Sequence, residues 1–114
     1  MRLALALVLL AACSATGTAA ATPPTGAVIV TAAVDSFTTS SVVGPADTGF
    51  TIFFQIIDSS QHDLHVWQGE TSVAATEIFG GPSARILDVP ALASGVYRIT
   101  CDIHPSMEAA LEAV

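Results

Sequence analysis

The sequence predicts an all-β protein, a two-sheet Greek-key β-sandwich. Three observations carry that expectation. Short apolar runs recur through residues 26–114, several of them alternating in period two. Turn signals separate them at Gly44-Pro45, Thr48-Gly49, Gly80-Gly81-Pro82 and Ser94-Gly95. Internal repeats, Gly-rich phosphate loops and helix-spaced carboxylate clusters are absent. Many short strands at regular spacing fold most simply as two packed sheets.

In chain order, residues 1–12 read as an export signal. Arg2 precedes an apolar run that is too short to span a bilayer. Leu10-Ala-Ala-Cys13 is similar to the bacterial lipobox, in which the chain is cut before the cysteine and Cys13 is acylated; the alternative is ordinary cleavage near Thr18-Ala-Ala-Ala21. Residues 13–25 read as a flexible tether of Ala, Thr, Ser, Gly and Pro without periodicity. The folded domain is then 26–114. Strands are expected at Val28–Ala33, Ser41–Val43, Phe50–Ile57, Asp63–Trp67, Ser72–Ile78, Arg85–Val89, Val96–Cys101 and Ala110–Val114. The last is the least obvious, because Glu, Ala and Leu are strong helix formers. Seven residues are too few for a stable isolated helix, so tertiary pairing is expected to draw this end into a strand.

The chemistry concentrates in two places. Cys101-Asp-Ile-His104-Pro-Ser-Met107 sets a thiol, an imidazole and a thioether three positions apart. In the strand before it, Tyr97, Ile99 and Cys101 share one face. Val96, Arg98 and Thr100 share the other, and Arg98 marks that face as solvent. Cys101 therefore points inward at a strand end, and Pro105 predicts an irregular loop just after His104. Upstream, His62-Asp-Leu-His65-Val-Trp67 supplies the remaining histidines. Period two places His62 with Leu64 and Val66 on the better core face, and Asp63, His65 and Trp67 on the other, so His62 is the better ligand. Two His and one Cys with a weak axial Met form the ligand set of a blue copper site.

These residues resemble the cupredoxins, in particular the amicyanin and plastocyanin-like group. The similar elements are Val28 to Ala33, Asp35-Ser-Phe37, Gly49-Phe-Thr-Ile-Phe-Phe54, His62-Asp-Leu-His65-Val, Gly95-Val-Tyr97 and Cys101 to Met107. They cover about residues 26–114. The chain departs from the family pattern at Asp63, where Asn is usual, and after Met107, where a Gly and a β-branched strand are usual. The resemblance implies one copper ion cycling between Cu(II) and Cu(I), held by His62, Cys101, His104 and Met107. Asp63 would tie the two ligand segments together by accepting backbone hydrogen bonds. His104 would sit at the surface within an apolar patch and pass electrons through its ring.

Composition narrows the function. The net charge is −7, there are no lysines, and Arg2, Arg85 and Arg98 are the basic residues, which excludes a nucleic-acid partner. An acidic exported carrier suits a basic redox partner such as a cytochrome or a dehydrogenase. Cys13 and Cys101 are the two cysteines. Lipidation or removal of Cys13 leaves one thiol in an oxidising compartment, where metal ligation protects it. A Cys13–Cys101 disulfide would consume the ligand. The expected protein is a monomeric, non-enzymatic one-electron carrier of the periplasm or cell envelope, held at the membrane through an N-terminal lipid. The alternatives are a copper- or zinc-carrying protein without redox role and a metal-free interaction domain of the same fold.

Overall fold

A computed structural model of the protein describes residues 18–20 and 22–114. The export signal expected over residues 1–12 and the acylation site Cys13 lie outside those residues. The strands are β1 (Thr18–Ala19), β2 (Val28–Ala33), β3 (Ser36–Phe37), β4 (Ser41–Gly44), β5 (Phe50–Ile56), β6 (Gln61–His62), β7 (His65–Gln68), β8 (Thr71–Ala75), β9 (Phe79–Gly80), β10 (Ser83–Val89), β11 (Gly95–Cys101) and β12 (His104–Ala113). The described residues contain no helix.

Two five-stranded sheets, ordered β1-β10-β5-β2-β3 and β4-β12-β11-β7-β8, form the sandwich. β5 occupies the centre of the first sheet because its run is apolar on both faces: Ile52, Phe53, Phe54 and Ile56 are all buried. Ile52, Phe54 and Leu87 from the first sheet meet Val66, Ile99 and Leu111 from the second in one core. Each such side chain contributes roughly 1.5–3 kcal/mol on burial. Phe54 lies edge-on between Phe37 and Phe79, at centroid distances of 6.2 and 5.6 Å. Tyr97 donates its hydroxyl to the Ala93 carbonyl at 2.7 Å, pinning the loop that leads into β11.

The second sheet carries the chemistry-bearing end. β12 follows period two, with Met107, Ala109, Leu111 and Ala113 buried and Glu108 and Glu112 exposed. It pairs antiparallel with β11 and parallel with β4. Strand pairing on both edges overrides the local helix preference, as expected, and the strand extends well before Ala110. The irregular loop expected after His104 is instead a turn at Asp102–Ile103, with a register shift between Thr100 and Cys101. Pro105 sits exposed inside β12.

Two expected strands are broken for a visible reason. The Asp63–Trp67 run starts as a ladder strand only at His65. Leu64 donates its N–H to Thr76 Oγ1 at 3.0 Å, and its carbonyl accepts from Thr76 N at 2.9 Å. That exchange occupies backbone groups that a continuous strand would offer to its neighbour. It also stops the Ser72–Ile78 run at Ala75. At the N-terminal side, Thr18–Ala19 pair with Ile86 and Arg85, so this part of the expected 13–25 tether lies along a sheet edge.

Candidate metal centre

Three segments converge at the end of the sandwich. β6 pairs with β9, His62 opposite Phe79, in a two-stranded sheet. β11 delivers Cys101, and the Asp102–Ile103 turn brings His104 back beside it. His62 Nδ1 lies 3.1 Å from His104 Nδ1 and 3.8 Å from Cys101 Sγ, and Cys101 Sγ lies 3.6 Å from His104 Nδ1. A triangle with sides 3.1, 3.8 and 3.6 Å has a circumscribed radius (product of the sides over four times the area) of ~2.0 Å. That is close to the metal–nitrogen bond of about 2.0–2.1 Å and slightly short of the metal–thiolate bond of about 2.3 Å seen with zinc. His62 and Cys101 are buried and His104 is half-buried. Met107 is buried in the same core cluster as Cys101.

The protonation states suit soft-metal ligation. Burial, and the facing His104, push the His62 pKa down, which leaves its imidazole neutral and a ring lone pair free. Burial raises the Cys101 thiol, so this sulfur carries a proton until a cation displaces it. Cation uptake therefore releases a proton and strengthens as pH rises. Two Nδ1 atoms and a thiol at distances that one central ion could bridge form a donor set that fits a copper ion.

The layer behind the donors is polar and satisfied. Asp63 is 2% exposed, and its Oδ1 accepts the Asp102 N–H at 2.6 Å. It thus joins the two donor segments in the way the resemblance implies. Burial and a hydrogen bond shared with the Asp102 side chain raise the Asp63 carboxyl above its usual value. On the other side, Ser60 Oγ lies 2.8 Å from His62 Nε2 and is itself hydrogen-bonded to Asp58 Oδ1. Ser60 and Asp58 read only as a turn in the sequence. Their signal was Asp58-Ser-Ser60-Gln-His62, in which period two places all three side chains on one side.

His65 is turned away from the three donors. Its Nδ1 is 3.1 Å from both Asp102 carboxylate oxygens, its Nε2 is 2.7 Å from Ser72 Oγ, and its ring stacks on Trp67 at 3.9 Å. Trp67 in turn donates to Thr100 Oγ1 at 2.8 Å. Asp63, His65 and Asp102 also bring donor atoms within 4.8 Å of one another, but His65 and Asp63 there already have protein partners.

Comparison with known proteins gives one picture. Auracyanin B superimposes with a TM-score of 0.69 at 18% identity, over 87% of this chain and 96% of that one. Auracyanin A, a "blue" copper protein from Chloroflexus aurantiacus, has a TM-score of 0.63 at 16% identity, over 75% and 99%. Amicyanin from Paracoccus versutus has a TM-score of 0.67 at 22% identity, over 90% and 94%. No curated protein matches the chain in sequence. The family model of the cupredoxin-like domain matches residues 3–111. With that match spanning nearly the whole chain, on a two-sheet sandwich that gathers a thiol and two imidazoles at one end, the chain belongs to the cupredoxin family.

Proposed function

We propose that the protein is an exported blue copper protein that carries one electron at a time between redox partners. The observation that carries this reading is the convergence of His62 Nδ1, His104 Nδ1 and Cys101 Sγ on one point, with Met107 buried in the same core. Copper bound there would supply a Cu(II)/Cu(I) couple. The chain's part is to hold the donors still. His62 is fixed by the β6–β9 pairing, Cys101 by β11, and the two segments are tied by the Asp63 bond to Asp102 N. Donors held in one arrangement reorganise little when the charge at their centre changes. Amicyanin and auracyanin, the structural neighbours, support the same reading by likeness of fold.

The surface at His104 suits a protein partner: Ile103, which precedes it, is an exposed large apolar side chain. The partner is a basic redox protein, a cytochrome or a dehydrogenase, attracted by the acidic charge and docked over half-buried His104 and its exposed neighbour Ile103. Export to the periplasm or envelope, acylation at Cys13 and a monomeric state complete the reading. Substrate turnover does not, because His62, Cys101, His104 and Met107 together would leave no open metal position.

Spectroelectrochemistry of the copper-loaded protein tests the role. One reversible one-electron couple with one copper per chain is expected. A bound metal with no couple in the accessible range would indicate a zinc or copper store instead.

A further inference from the structure

Behind His62 stands a chain of two hydrogen bonds that the ligand geometry does not by itself require. A serine hydroxyl has one proton. Ser60 Oγ contacts both Asp58 Oδ1 and His62 Nε2. The carboxylate can only accept, so the Ser60 proton lies toward Asp58, and Ser60 Oγ is left as an acceptor. His62 must then donate from Nε2, which strips the proton from Nδ1 and leaves the lone pair aimed at His104 Nδ1 and Cys101 Sγ.

The anchor of this chain is held from several sides. Asp58 Oδ2 accepts the Val34 N–H at 2.7 Å, and Oδ1 also accepts the Ser60 N–H at 3.0 Å. Those bonds, the Ser60 hydroxyl first, hold the carboxyl below its usual range, so it is ionised at neutral pH. Val34 keeps a φ of 56°, a left-handed conformation rare for a β-branched residue, and its N–H is spent on Asp58. Gly81 N donates to the Ser60 carbonyl at 3.0 Å, and a Cβ at Gly81 would collide with the Asp58 carbonyl and Ile56.

We infer that Ser60 and Asp58 are positioning residues for the metal centre: they fix the His62 tautomer before metal arrives and feed anionic character through the imidazole. Partners behind a ligating histidine set its orientation and raise its basicity. A more basic His62 favours the higher oxidation state, so the relay lowers the reduction potential. Only this last consequence rests on the electron-carrier reading; the tautomer is a property of the metal-free chain.

Two measurements separate the possibilities. In the metal-free full chain, nitrogen-15 NMR should show His62 as the Nε2–H tautomer. Ser60→Thr should preserve it and Ser60→Ala should release it to a mixture. In copper-loaded protein, Ser60→Ala should weaken Cu(II) binding about tenfold or more. Ser60→Ala and Asp58→Asn should each move the oxidised–reduced equilibrium toward the reduced form by up to about tenfold, ~59 mV for a one-electron couple. An Nδ1–H tautomer in the wild type, or a fixed Nε2–H tautomer in folded Ser60→Ala, overturns the inference. An intact Nε2–H tautomer in a chain that takes up no copper upholds the positioning role and overturns the carrier reading alone.

Discussion

His62 and His65 are three residues apart, yet only one of them faces the sulfur. His62 is fully buried with its Nδ1 near Cys101 and His104, while His65 is spent on Asp102, Ser72 and Trp67. His62→Ala should therefore destroy the blue absorption, and His65→Ala should leave it nearly unchanged; the reverse result would assign the ligand to His65. That choice was legible because Leu64 and Val66 mark the core face. Asp63 is the other residue with a measurable voice. An ionised carboxylate near the metal stabilises Cu(II), by on the order of 1 kcal/mol at an effective dielectric near 20. Asp63→Asn should raise the reduction potential by some tens of millivolts at a pH above the raised Asp63 pKa. As pH falls through that pKa, the wild-type potential should climb toward that of the variant. A variant potential equal to or below the wild type at high pH would remove Asp63 from the electrostatics of the site.

At the scale of elements, what the sequence showed poorly was where strands stop. Period two anticipated β11 and the apolar runs anticipated β2 and β5, whereas the last strand was expected only from Ala110 onward and from tertiary pairing, its own alternation going unread. Periodicity could not show that Leu64 would trade hydrogen bonds with Thr76, because that partner is twelve residues away and acts through a side chain. The short pairs β3, β6 and β9 have two residues each, too few for a periodic signal. The turn of residues 58–60 makes a separate prediction about acid. Its carboxyl is held low by the Ser60 hydroxyl and then by the Val34 and Ser60 amides. A depressed folded-state pKa contributes stability above the unfolded value, and that contribution is lost as pH falls through the folded pKa. Thermal unfolding midpoints should thus fall below about pH 4, and Asp58→Asn should flatten that part of the profile. An identical acid limb in both proteins would show that other carboxylates carry it.

At the scale of the whole molecule, the sandwich was legible together with the juxtaposition of His62, Cys101 and His104 that it produces at one end. The Cys-x-x-His-x-x-Met spacing places three donors on one strand–turn–strand, leaving one histidine to find. The polar relay through Ser60 and Asp58 went unread although Asp58, Ser60 and His62 alternate, since a segment that reads as a turn need not keep the period of a strand. The N-terminal expectation belongs to this scale as well. Acylation at Cys13 would hold the domain at a membrane surface, stable anchoring taking more than one acyl chain. Mass spectrometry of the native N-terminus should find a lipid-modified Cys13; an unmodified start near Ala21 or Thr22 would make the protein freely diffusing. The most direct test of the whole account is one visible absorption spectrum of the purified chain with one equivalent of Cu(II), beside Cys101→Ser. An intense blue thiolate-to-copper band is expected in the wild type, with its loss in Cys101→Ser and an unchanged β-sheet spectrum in both. A wild-type protein that binds Cu(II) and stays colourless would contradict it.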